Sequence, residues 1–182
     1  KETMCVYGGD VHRARAQVQQ HPRILKYVRI NENWEKLLKG MGGHEGRSRG
    51  LVQQCPTLLS APAMDKAFED LYVVYDRSKE AGRALVQQYP RLLRLPELGR
   101  TWDEVLEVTD RNAVSARSLV QQYPRLLASK VVKEAHASLV GVVGSKEETW
   151  RLVQMGPRLL CASEIDDCFA VLTQLTGKNE KA

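Results

Sequence analysis

Apolar and polar positions along this chain repeat every 34 residues. Five segments read VQQHPRIL, LVQQCPTLL, LVQQYPRLL, LVQQYPRLL and LVQMGPRLL, and their prolines (Pro22, Pro56, Pro90, Pro124, Pro157) are 34, 34, 34 and 33 residues apart. Four residues before each proline stands a valine: Val18, Val52, Val86, Val120 and Val153. Five before are Leu51, Leu85, Leu119 and Leu152, with Gln17 in the first unit. Eight before, the residue is small: Ala14, Ser48, Gly82, Ala116, Thr149. At about 100° per residue these positions fall on one narrow stripe, so the pattern predicts an amphipathic helix before each proline, with the small residue where a neighbour approaches.

The proline ends that helix, because it lacks an N–H and collides with the preceding turn. A leucine-like pair follows: Ile24–Leu25, Leu58–Leu59, Leu92–Leu93, Leu126–Leu127 and Leu159–Leu160. It is expected in a short, inward-pointing turn of 3₁₀ type. Twelve residues after the proline come Trp34, Phe68, Trp102, His136 and Phe169, and fifteen after come Leu37, Leu71, Val105, Leu139 and Leu172. This i, i+3 pairing predicts one buried face on a second helix. Thr101 with Glu104 and Ser145 with Glu148 have capping-box spacing, and Gly144 and Gly177 suit helix ends. One unit cannot bury both stripes alone, so units must stack. The expectation is an all-α fold: an α-solenoid of about five 34-residue two-helix repeats, forming a single helical-repeat domain over residues 1–182, with the outer units as caps.

A 34-residue period also belongs to tetratricopeptide repeats, but here the small and aromatic residues stand at the wrong distances from the proline. Pentatricopeptide repeats lack the Pro-x-Leu-Leu element. A leucine-rich helix, a proline with a leucine pair, and a second helix with spaced leucines instead resemble the mitochondrial transcription termination factor (mTERF) family. The stretch Ser145-Lys-Glu-Glu-Thr-Trp-Arg-Leu-Val-Gln-Met-Gly-Pro157-Arg-Leu-Leu-Cys-Ala-Ser163 is similar to a typical unit. The likeness runs through essentially the whole chain. Two features depart from the family: the uniform Gln-Gln before the proline and the short array. The resemblance implies a curved α-solenoid and an organellar protein, mitochondrial or alternatively chloroplast, that works on DNA or RNA.

Charge adds a candidate surface. Of 182 residues, 27 are Lys or Arg and 22 are Asp or Glu, a net charge of +5. Windows from thirteen before each proline to one after hold 15 basic and 5 acidic residues, whereas windows from eight to eighteen after hold 5 basic and 11 acidic. The first-helix layer thus has the sign that attracts nucleic acid, although opposed layers also simply help neighbours pack. Arginine recurs seven before the proline (Arg15, Arg49, Arg83, Arg117) and one after it (Arg23, Arg91, Arg125, Arg158). Such ladders fit a groove that tracks phosphates. They equally fit a solvated edge or a structural link to the adjacent helix. Arg49, Arg83 and Arg117 are expected to line one edge with exposed guanidiniums. The glutamines three before the proline (Gln19, Gln53, Gln87, Gln121, Gln154) stand one turn away, placed for bases or ribose, or for ties between repeats. Tyr89 and Tyr123 are the repeated aromatics off the predicted buried stripe.

Other classes recede. No apolar run approaches the ~20 residues of a membrane span. Cys5, Cys55, Cys161 and Cys168 form no CxxC pair, and no zinc-type spacing links them to the four histidines. Gly8-Gly9 and Gly42-Gly43 lack the Gly-Lys-Ser/Thr of a phosphate loop. No nucleophile–base spacing stands out, so a non-catalytic protein is expected, without cofactor or metal. The chain starts at Lys1, which fits a removed leader or a start within a longer product, and it carries no visible targeting segment. Two readings remain. One is an mTERF-like binder of RNA or DNA in gene expression or ribosome function. The other is a scaffold subunit among the proteins of a large organellar assembly, such as a ribosome or an energy-transducing membrane complex.

Overall fold

The structure, a computed structural model, describes residues 6–27, 29–163 and 165. Among them are nine α-helices, five 3₁₀ turns and no strand. The first helices of the units are α1 (Val11–Gln20), α3 (Glu45–Gln54), α5 (Lys79–Gln88), α7 (Ala113–Gln122) and α9 (Lys146–Met155). The second helices are α2 (Ile30–Gly40), α4 (Met64–Val74), α6 (Leu98–Val108) and α8 (Val132–Val143). The fold is all-helical, and its elements recur on the sequence period. Contacts divide the chain into two compact units, Lys1–Gly99 and Arg100–Ala182.

The same local chemistry builds every turn. Helix α1 and its counterparts stop two residues before the proline. The residue preceding the proline is pushed to extended φ (−133° at His21, −139° at Cys55) by the ring that follows it. Its own N–H still closes a helical bond, as His21 N to Gln17 O and Cys55 N to Leu51 O. The proline then takes the first position of a 3₁₀ turn, where no N–H is needed. The five turns are Pro22–Lys26, Pro56–Ser60, Pro90–Arg94, Pro124–Ala128 and Pro157–Cys161.

Burial follows the two predicted stripes. Val52, Val86, Val120 and Val153 are fully buried, Val18 is half-buried, and the small residues that allow close approach are buried. Trp34, Phe68 and Trp102 are buried, as are Leu37, Leu71, Val105 and Leu139; His136 is half-buried. Phe169, Leu172 and Gly177 lie outside the described residues. In the first compact unit α2 packs on α4, the turn Pro56–Ser60 packs against α2, and Pro90–Arg94 against α4. Asn33 Nδ2 of α2 donates to Leu59 O at 2.9 Å, tying helix to turn. In the second unit α8 packs on α9 and on the turn Pro157–Cys161. Leu25 departs from its equivalents. It is 67 % exposed, whereas Leu59 and Leu93 are buried on turns that pack against the second helix one unit earlier.

The helix ends correct one expectation. Ser145 caps α9 as predicted, accepting from Glu148 N, and Gly144 takes the left-handed conformation at φ 77°. Thr101 is no cap: it lies within α6, which starts three residues earlier, and its hydroxyl donates to Ser129 O. The start of α6 is held instead by Asp70 of α4, whose carboxylate accepts from Gly99 N at 3.0 Å. Asp10, Ser78 and Asn112 supply further caps. Between units, two consecutive residues are left-handed: Gly8-Gly9, Gly42-Gly43, Asp76-Arg77 and Asp110-Arg111. The last junction uses Gly144 alone, and that missing residue is the source of the single 33-residue spacing.

Candidate functional site

The two arginine ladders have different surroundings. In the ladder seven before the proline, Arg15 is exposed, and Arg49, Arg83 and Arg117 are half-buried. Arg83 of α5 donates from Nε to Gly40 O, the last residue of α2, at 2.9 Å. Its guanidinium lies under the left-handed turn, where a Cβ on Gly42 would meet it at 2.9 Å. Arg49 repeats the arrangement one unit earlier, donating from Nε to Val6 O at 3.0 Å under Gly8. Both also meet a glutamate of their own helix, Glu45 at 2.6 Å and Glu80 at 3.6 Å. A cation on the final carbonyls of a helix satisfies acceptors that have no helical partner and complements the helix dipole. For Arg49 and Arg83 the expected free guanidinium is therefore not what is found. Their partners are backbone carbonyls and same-helix glutamates, not second-helix carboxylates.

The ladder one after the proline is open. Arg23, Arg91, Arg125 and Arg158 are all exposed on the 3₁₀ turns, and none makes an ion pair or internal hydrogen bond among the described residues. Each follows its proline, at the second position of its turn. In the first compact unit, the turns Pro22–Lys26, Pro56–Ser60 and Pro90–Arg94 pack side by side. They enclose a groove of about 540 Å³. Arg23, Arg91 and Arg94 supply its charge, and Gln20, Gln54, His21 and Tyr27 line it as well. None of the described residues lining it is acidic. At the middle turn Thr57 replaces the arginine, and its hydroxyl lies 3.3 Å from Cys55 Sγ. Arg125 and Arg158 sit on two packed turns of the second unit.

Two larger clefts have mixed charge. One of about 720 Å³ between α2 and α4 carries Lys36, Lys39, Lys79, Glu35, Asp65 and Glu69. Lys36 there pairs with Glu32 at 2.6 Å and Asp65 at 3.5 Å, and the Glu32 bond holds its ammonium above the usual lysine range. In the second unit a cleft of about 700 Å³ combines Glu107, Asp110, His136 and Lys146. Burial, and then the Lys146 charge, push the His136 pKa down, with Asp110 opposing. Such paired charges leave little net field for a polyanion.

No group of three or more metal-ligating side chains occurs among the described residues. No described helix is long and apolar enough to cross a membrane. Cys55 is buried and free; Cys161 is half-buried and free, its thiol pushed up by burial. All five glutamines three before the proline are exposed. The groove, however, is lined by the next pair along, Gln20 and Gln54, and by Arg94, none of which the ladder arithmetic selected. The signal for Arg94 was Lys26 at the equivalent place in the first unit. No protein-family model, no curated protein and no solved structure matches this chain.

Proposed function

We propose that this chain is a non-catalytic nucleic-acid-binding protein, built as a curved α-solenoid of mTERF type and working in an organelle. The mitochondrion is the first choice and the chloroplast the alternative. The observation that carries the binding role is the groove over the first three turns, which among the described residues gathers three arginines without ion pairs and no acid. Phosphates would be held there by Arg23, Arg91 and Arg94; Arg125 and Arg158 are exposed on the turns of the second compact unit. Arg49 and Arg83 serve the joints between repeats. The solenoid is supported by elements that recur on the sequence period and by the packing of each turn on the preceding second helix within a compact unit. The organellar assignment rests on the Pro-Leu-Leu unit's resemblance to mTERF repeats.

A second reading, a scaffold subunit of a large organellar assembly, is favoured by isolated apolar side chains left in solvent. Val114 is 75 % exposed and Met155 78 %. Salt separates the two readings. Three phosphate contacts predict an apparent affinity for RNA or DNA that falls with a log–log slope of about −2 to −3. Replacing Arg23, Arg91 and Arg94 together with alanine should abolish most of that slope. Absence of any binding at about 100 mM salt, or an unchanged slope in the triple variant, would overturn the nucleic-acid reading.

A further inference from the structure

We infer that the groove over the first three turns takes a single strand and contacts its bases through Gln20, Gln54 and Tyr27, rather than docking the backbone of a duplex. This rests on the reading above and specifies its ligand.

The distribution of charge within the groove is the first argument. Its cations stand at the two ends, Arg23 on the first turn and Arg91 with Arg94 on the third. The middle turn is neutral, with Thr57 where its neighbours carry arginine. Packed helical elements lie roughly 8–10 Å apart, so two unit steps separate the charged ends by about 20 Å of backbone. A duplex offers one phosphate charge per ~1.7 Å of axis and is best met by an unbroken row of cations. An interrupted row with a polar floor suits a ligand that is anionic at intervals and can hydrogen-bond between them.

Size is the second argument. A groove of about 540 Å³ is within the range of sites that enclose small-molecule-sized groups. It accommodates splayed nucleobases, whereas a double helix could only lie across its rim.

The floor is the third argument. The Gln20 and Gln54 side chains are exposed and engage in no internal hydrogen bond among the described residues. Each amide presents both a donor and an acceptor, as a base edge freed from pairing requires. Tyr27 is half-buried at the first turn and lines the groove. An aromatic ring in such a lining offers a stacking surface to a base. An acidic peptide would also satisfy the arginines, and polyglutamate is its probe in the test below.

The test uses the whole chain and four labelled probes: a single-stranded RNA, the matching duplex, the same strand without bases, and polyglutamate. The intact strand should bind at least about tenfold more tightly than the abasic strand, the scale of one stacked base. It should also bind more tightly than the duplex or polyglutamate. Tyr27→Leu, and separately Gln20→Ala with Gln54→Ala, should weaken the intact strand severalfold while leaving the abasic strand and the salt slope unchanged. The two glutamines are exposed, so their variant keeps the test sound should Tyr27→Leu unfold. Equal affinity for intact and abasic strands, tighter binding of duplex or polyglutamate, or no effect of the floor variants would overturn the inference. If those results came with a salt slope that still depended on the three arginines, the nucleic-acid role would stand and only the single-strand assignment would fall.

Discussion

Arg83→Ala separates the two arginine ladders most sharply. Arg83 Nε donates to Gly40 O at 2.9 Å, and its side chain is 19 % exposed. A hydrogen bond to a charged group contributes about 1.5–3 kcal/mol when it is sheltered. The Gly40 carbonyl also accepts from the Tyr72 hydroxyl at 2.8 Å, so removing Arg83 does not orphan it. That places the loss at the lower end. Glu80 at 3.6 Å is 84 % exposed, and such pairs are worth little. The stem and guanidinium packed under Gly42 add a small contact term. The expected cost is about 1.5–2 kcal/mol. Urea unfolding followed by circular dichroism should show a lower midpoint with an unchanged slope. Arg83→Lys should recover only part of it, because an ammonium lacks the planar fork. RNA affinity and salt slope should match the wild type in buffer. Arg91→Ala should do the reverse, with stability within about 0.5 kcal/mol of the wild type and weaker binding. An Arg83→Ala protein that unfolds like the wild type but loses RNA would refute the reasoning.

Gln17 occupies a leucine position of the repeat, and its Nε2 is buried without a partner among the described residues. Gln17→Leu should stabilise by about 1–3 kcal/mol, seen calorimetrically as a Tm raised ~2–4 °C per kcal/mol; a lower Tm would show that the amide is satisfied. Arg77 and Arg111 sit at φ 64° and 60°. Arg77→Gly and Arg111→Gly should each stabilise by about 1 kcal/mol in the same melts, and a neutral or negative change would place a compensating contact there. Gly40→Ala should destabilise by about 1–3 kcal/mol, because its Cβ would fall 2.3 Å from the Phe68 ring. Gly50→Ala, inside α3 with nothing near its Cβ, should gain about 1 kcal/mol. Equal effects at the two glycines would contradict the close packing of α2 on α4.

The repeat was legible because each unit states its own register. Proline fixes a turn, and apolar residues at constant offsets fix two stripes, so the paired helices, the 3₁₀ turns and the buried Val86, Leu92, Leu93, Trp102 and Val105 follow from spacing alone. The left-handed pairs were hidden because Gly42-Gly43 becomes Asp76-Arg77 one unit later, so no residue type marks the conformation. The start of α6 was misplaced because its stabilising group comes from Asp70, 29 residues earlier, and not from a local cap. The arginine ladders show the limit most clearly. Spacing places Arg49 and Arg83 in one row but does not reveal the carbonyl opposite, which lies 43 residues back in each case. Equally, it cannot tell that the turns bring Arg23, Arg91 and Arg94 around one groove, since that depends on how neighbouring repeats stack.

Photocrosslinking tests the central claim most directly. A single-stranded RNA carrying thiouridine would be bound to the whole chain, irradiated, digested and mapped by mass spectrometry. The account predicts crosslinked peptides from the groove, centred on Gln20–Tyr27, Gln54–Thr57 and Arg91–Arg94, that disappear when Arg23, Arg91 and Arg94 are replaced by alanine. Crosslinks confined to the mixed-charge face of α2 and α4, or groove crosslinks that persist undiminished in the triple variant, would contradict it.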